Sequence, residues 1–224
     1  MSGLVKVGGA WKDVSGLSVN IGGTWKAVTS GSVNIAGTWK EFYAPATGDI
    51  GSFDLLQSEV LTSSAASVTF SGLSAYASTY QHLQIRMVGR STRSSTNADF
   101  YVQFNGDTGS NYSQHYLRGD GAAVESGFLS GSYPNGVIIY QGLTGSTNTA
   151  NSFSGVVIDI LDPFKTSKYT TIKSLNGFTG SLNRILLESG SWRDTSSVTS
   201  ITLNDRLDNF VSGSRFSLFG VKKA

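Results

Sequence analysis

His82 and His115 are the only imidazoles in this 224-residue sequence, and a hydrolytic site would need one of them beside a nucleophile and an orienting acid. No nucleophile elbow, phosphate-binding Gly-Lys-Ser/Thr loop or zinc-protease helix accompanies either. His82 opens an alternating apolar segment and reads as a surface or packing residue. His115 lies in Tyr112-Ser113-Gln114-His115-Tyr116, which reads as a loop where it is either structural or a ligand contact. Asp159 with Asp162, and Asp205 with Asp208, are the carboxyl pairs that glycoside cleavage would draw on. Both pairs sit at segment ends among turn formers, where Asp bonds nearby backbone amides. Asn105, Asp107 and Asp120 offer oxygens to calcium without the spacing of a calcium loop. With no cysteine, disulfides, thiolate metal sites and cysteine nucleophiles are excluded. The expectation is a protein that is not an enzyme and carries no cofactor or metal.

Side chains suited to contact are better represented. Tyr112, His115, Tyr116, Tyr133, Trp192 and Arg193, with Arg118 close by, combine flat faces with hydrogen-bonding tips that fit sugars or protein surfaces. Trp192 follows a strand-like segment, so it either caps the core or joins that surface.

The elements that must position these residues begin with a triple repeat of 14 residues. Val5-Lys6-Val7-Gly8-Gly9-Ala10-Trp11-Lys12 is followed by Val19-Asn20-Ile21-Gly22-Gly23-Thr24-Trp25-Lys26 and Val33-Asn34-Ile35-Ala36-Gly37-Thr38-Trp39-Lys40. Each unit reads as a β-hairpin turning on Gly-Gly or Ala-Gly. A two-residue loop sets Trp11 opposite Lys6, whereas a three-residue loop with a bulge sets it beside Val5 and Val7. An isolated hairpin cannot bury its Trp alone. Trp11, Trp25 and Trp39, with Lys12, Lys26 and Lys40, therefore form either a local mini-core or an anchor for assembly and partner docking.

Ala44-Pro45-Ala46-Thr47-Gly48 breaks the pattern. The expected organisation is 1–43 hairpin repeats, 44–49 linker and 50–224 a β-sandwich. About ten short segments with turn clusters between them, such as Asn105-Gly106-Asp107, Gly119-Asp120-Gly121 and Asn176-Gly177, predict a two-sheet sandwich of jelly-roll type and no helix. Leu83, Ile85 and Met87 give the period-2 pattern of a half-buried strand. The composition agrees: 14% charged, 27 Gly and 3 Pro, with Ser, Thr and Asn filling the polar positions, suits strands and tight turns more than helices.

The net charge is +2, and it resides in residues 1–48, leaving the remainder balanced. No basic field marks nucleic-acid binding. No apolar run reaches the length of a membrane span, and the opening residues lack the apolar stretch of a secretory leader. A soluble chain without a targeting segment is expected.

Four segments carry a resemblance: Ser67-Val-Thr-Phe-Ser-Gly-Leu73, Phe104-Asn-Gly-Asp-Thr-Gly-Ser-Asn-Tyr112, Gly190-Ser-Trp-Arg193 and Asn209-Phe-Val-Ser-Gly-Ser-Arg-Phe-Ser-Leu-Phe-Gly220. Through them the C-terminal part resembles small tail-associated virion proteins of tailed bacteriophages. The Gly-Gly-x-Trp-Lys repeats look like segments of tail-fibre and tail-appendage proteins. The resemblance implies a non-enzymatic virion part, made in the host cytoplasm and often trimeric. It would be held to other virion proteins by its repeats and would touch a host glycan or protein. A tail position is favoured over capsid decoration, and a carbohydrate-binding module or glycan-active enzyme is the reading from a different class.

Overall fold

The computed structural model describes residues 4–7, 10–13, 18–21, 23–27, 31–43 and 52–223. The chain divides into two units, Met1–Ser52 and Phe53–Ala224. Among the described residues every regular element is a strand except one 3-10 turn, Leu73–Tyr76.

In the first unit β1 (Leu4–Val7) pairs with β2 (Ala10–Asp13), β3 (Ser18–Ile21) with β4 (Thr24–Ala27), and β5 (Gly31–Ile35) with β6 (Thr38–Tyr43), all antiparallel. The register sets Trp11 opposite Lys6, Trp25 opposite Asn20 and Trp39 opposite Asn34. That is the register of a two-residue connection. Ala36 and Gly37 both have positive φ, 52° and 84°, as a tight hairpin turn of this hand requires. Asn34 Oδ1 closes the turn by accepting from the Gly37 amide at 2.9 Å. Trp39 is 71% exposed. The side chains of Trp11, Trp25, Lys12, Lys26 and Lys40, and the linker expected at 44–49, lie outside the described residues.

The second unit is built from β7 (Phe53–Val60), β8 (Ser67–Phe70), β9 (Tyr80–Gly89), β10 (Asn97–Phe104), β11 (Tyr112–Gly119), β12 (Val124–Tyr133), β13 (Val137–Thr144), β14 (Ser154–Leu161), β15 (Thr170–Phe178), β16 (Arg184–Trp192), β17 (Ile201–Asp205) and β18 (Arg215–Lys222). They form two antiparallel sheets. The larger has the order β12-β11-β16-β15-β14-β9-β18-β7 and the smaller β13-β10-β17-β8.

Alternation along the strands fills the space between the sheets. Leu83, Ile85 and Met87 from β9, with Ile158 and Leu218 from its neighbours, face Phe100, Val102 and Leu203, and all are buried. Burying each such side chain stabilises the fold by about 1.5–3 kcal/mol. Phe210 links the layers edge-on, with its ring centroid 6.4 Å from Phe100 and 5.0 Å from Phe216.

The structure departs from the sequence expectation in two places. The segment Tyr112–Tyr116, read as a loop, is the first half of β11, paired residue for residue with β16. Asn176-Gly177, read as a turn, lies inside β15, with Gly177 opposite Gly155 and Ile185. In both cases pairing with neighbouring strands overrides local turn propensity.

Candidate contact site at the β13 bulge

β10 and β13 pair at Ala98 with Leu143 and again at Phe100 with Ile139. Residues 140–142 of β13 thus stand opposite Asp99 alone, a bulge that bends the strand and re-aims its side chains. Gln141 takes a left-handed φ of 51° to make it. Gly142 follows because there is no room for anything larger. A Cβ there would lie 2.6 Å from Ile139 Cγ2 and 2.9 Å from Phe100 Cε1.

The bulge removes two backbone donors from the ladder, and buried donors need partners. Two carboxyl groups supply them. Glu188, on β16 beneath, accepts from the Tyr140 amide at 2.8 Å through Oε1, and Asp99 accepts from the Gln141 amide at 2.8 Å through Oδ1. Glu188 is 2% exposed. Its other partners are the Ser174 hydroxyl at 3.0 Å and the amides of Asn176 and Gln114 at 3.3 and 3.4 Å. Burial pushes the Glu188 carboxyl up to about 8, against the opposing bonds from Ser174 and the Tyr140 amide. The carbonyl oxygens of Gln114 and Asn176 are buried without a partner. Exchanging oxygen and nitrogen in either amide would give a protonated Glu188 an acceptor.

The re-aimed side chains organise a surface on either side of the bulge. On one side the Tyr140 ring stacks on Tyr116 at 4.9 Å, and the Tyr116 hydroxyl donates to Glu125 Oε1 at 2.9 Å. Arg118 donates to Gln141 Oε1 at 2.8 Å and is ion-paired with Glu125. On the other side Arg206 donates to Asp99 Oδ2 at 2.7 Å and to the Tyr133 hydroxyl at 3.2 Å. The Tyr133 ring lies 6.3 Å from that of Tyr101. Desolvation works against the Arg206 charge, but Asp99 and the two tyrosines outweigh it and raise its pKa. Tyr116, Tyr133 and the two guanidiniums are thus tied by hydrogen bonds around the bulge, with the Tyr140 ring packed on Tyr116 and the Tyr101 ring beside Tyr133, and all six side chains are half-buried.

Of the six contact residues expected from sequence, this cluster contains Tyr116 and Tyr133. Tyr112 and Trp192 belong to the core instead, at 0% and 2% exposure, because they face each other across β11 and β16 on the inner side of the large sheet. Trp192 stacks on Phe104 at 5.5 Å, and its indole N–H donates to Asp107 Oδ2 at 2.7 Å. The Tyr112 hydroxyl donates to the Asp107 carbonyl at 3.0 Å. Neither ring has a surface left to offer. His115 is exposed on the opposite, outer face of the same sheet, 3.2 Å from Ser189 Oγ through Nε2. Arg193 is exposed beyond β16, its amide bonded to the Asn111 carbonyl at 2.9 Å.

The groups weighed for catalysis and metal binding are engaged in the fold. His82 Nδ1 accepts from the Asp162 amide at 3.0 Å, and Asp205 Oδ1 accepts from the Asp208 amide at 3.1 Å. Asp159 accepts from Gln84 at 2.7 Å. Asn105 Oδ1 accepts from the Thr199 amide at 2.7 Å, and Asp107 carries Trp192 and Asn111. No group of three or more acidic, His or Cys side chains suited to a metal occurs among the described residues.

Sequence reasoning missed Tyr140, Gln141, Arg206 and Glu188. The signal for the first two was Val137-Ile138-Ile139-Tyr140-Gln141-Gly142, an apolar run that breaks period 2. For Glu188 it was a carboxyl at a core-facing position, two residues after the buried Leu186. The chain matches no protein-family model and no curated protein.

Proposed function

We propose that this chain is a non-enzymatic structural part of a phage virion, a tail-fibre or tail-appendage protein. Its N-terminal unit attaches to other virion proteins, and its sandwich presents the bulge cluster to the host surface. The observation that carries the proposal is the cluster itself: Tyr116, Tyr140, Tyr133 and Tyr101 arrayed with Arg118 and Arg206 around a strained bulge. Half-exposed aromatic faces beside fixed guanidiniums are suited to stacking on a sugar ring or seating a protein loop.

The strand order supports a jelly-roll reading of the same unit. β7-β18-β9-β14 in one sheet and β8-β17-β10-β13 in the other follow the wrapped order of a jelly roll, with first strand beside last and second beside next to last. The pairs β11–β12 and β15–β16 then insert to widen the larger sheet. Such double-sheet folds recur in virion and lectin domains. Fold analogy alone assigns no activity, so the proposal rests on the cluster and on the resemblance of the four segments. The three Trp hairpins are assigned to attachment because a hairpin of this length leaves its ring needing a partner surface.

The test is adsorption. Purified chain added to host cells should block attachment of the encoding phage, and Tyr116→Ala with Tyr133→Ala should lose the block while keeping the fold. Antiserum to the chain should label the tails of purified particles. Label confined to the capsid would move the protein to decoration, and equal blocking by wild type and variant would remove the cluster from host contact.

A further inference from the structure

Two adjacent rows on the outer face of the large sheet are largely apolar where a solvated sheet face should be polar. Register aligns Val157, Leu175, Leu187 and Leu117 in one row across β14, β15, β16 and β11. They are 36%, 52%, 49% and 49% exposed. The adjacent row runs from Val88 through Gly155 and Gly177 to Ile185, Gly119 and Val124. Its glycines leave a shallow groove of about 560 Å³ between Val157, Leu175 and Ile185, floored by Gly155 and Gly177.

At the far end of the same face is a projecting side chain. Phe128 on β12, opposite His115, is 72% exposed, and Val124, four pairs away on the same face, is 77% exposed. β12 is the edge strand of the sheet. Its ten residues include neither Lys nor Pro, and Glu125 and a bulge near Tyr133 are what it has of the devices that guard edge strands.

We infer that this face is an interface between copies of the chain, the Phe128 edge of one copy seating in the Gly155–Gly177 groove of another. Two features of this face favour a second copy as the occupant. Projection and groove lie on one surface, so a single relation between identical chains satisfies both. The exposed side chains together present on the order of 700 Å², close to the roughly 800 Å² that each partner brings to a stable interface. Leu175 and Leu187 form an uncharged middle to the row, while Arg86 pairs with Val157 at one end, Arg184 borders the groove and the Lys173–Asp159 pair, 3.4 Å apart, stands in the next row, the apolar centre and polar rim of a subunit contact. The inference extends the proposal above to the self-association surface, but it does not depend on host contact.

The experiment is the mass of the full chain in solution at micromolar concentration, for wild type, for Leu175→Lys with Leu187→Lys, and for Phe128→Ser. These side chains point outward, so the variants should keep the wild-type circular dichroism. The expected result is an oligomeric wild type whose association weakens at least 100-fold in the double Lys variant and measurably in Phe128→Ser. A dimer would mean a two-fold face-to-face contact and a trimer a closed ring of projection into groove, and either mass lost in the variants supports the inference. A monomeric wild type, or variants that keep the wild-type mass, overturns it. Because host adsorption plays no part in this readout, its failure leaves the contact proposal standing, and the converse holds.

Discussion

Glu188 accepts the backbone N–H of Tyr140 at 2.8 Å from the opposite sheet, so a buried carboxyl on β16 fixes the bulge that shapes the exposed face of β13. The group lies where water cannot reach it, and its acid form is favoured by burial up to about 8. The unfolded chain titrates this carboxyl near 4.5. Between those values the folded protein binds the extra proton, so stability is full below about 4.5 and falls as pH rises through 8. The expected outcome is a thermal midpoint that declines between pH 5 and 9, by an amount equivalent to a few kcal/mol. Glu188→Gln keeps an acceptor for the Tyr140 amide and has nothing to titrate, so it should flatten that decline. A wild-type midpoint that is level or rising across this range would show that Glu188 is not the controlling group.

The bulge also depends on Gly142. Adding one methyl there drives it to 2.6 Å from Ile139 and 2.9 Å from Phe100, whereas a Cβ at Gly155 meets nothing within 4 Å. Gly142→Ala should therefore cost about 1–3 kcal/mol by overpacking, and Gly155→Ala should be near neutral. Denaturant unfolding of the two variants side by side checks this. Equal midpoints would mean that the bulge yields freely.

These features explain how far the sequence could be read. The alternation of Leu83, Ile85 and Met87 made β9 visible because one face is core and the other solvent. β11 was missed because its inner positions hold Tyr112, Gln114, Tyr116 and Arg118, which serve hydrogen bonds across to other strands and resemble loop chemistry in one dimension. Tyr116 and Tyr133 were picked out as candidates from residue type alone. Their organiser was not, since the Tyr140–Glu188 bond spans 48 positions and no local pattern announces it. The apolar outer face was hidden for a related reason: Ile185-Leu186-Leu187 reads as a fully buried strand when only Leu186 faces inward.

Arg90 is a different kind of anchor. Its guanidinium donates to the carbonyls of Thr149, Ser152, Ser146 and Asn148, at 2.8, 2.7, 3.1 and 3.1 Å. No carboxylate is involved, so the bonds organise the loop after β13 without an ion pair. A lysine cannot span four acceptors with one ammonium. Arg90→Lys should cost about 2–3 kcal/mol and speed amide hydrogen exchange at residues 146–152 more than elsewhere. Uniform exchange changes across the sandwich would argue that Arg90 supports the core rather than this loop.

Trp192 separates a core role from a surface one. Its ring stacks on Phe104 and its indole N–H reaches Asp107 at 2.7 Å. Although burial pushes the Asp107 carboxyl up, the bonds from Asn111, Trp192 and the Gly109 amide outweigh it and hold the group below its ordinary value. Asp107 thus contributes stability above the usual carboxylate range, and that contribution is lost as pH falls through its lowered folded value. Trp192→Phe retains the stacking and deletes the N–H, so it should cost about 1.5–3 kcal/mol at neutral pH. The difference between variant and wild type should shrink as Asp107 protonates. On the proposed host-contact role, blocking of phage adsorption, measured where both proteins are folded, should be unchanged. A variant as stable as wild type but weaker in blocking would return Trp192 to the contact surface.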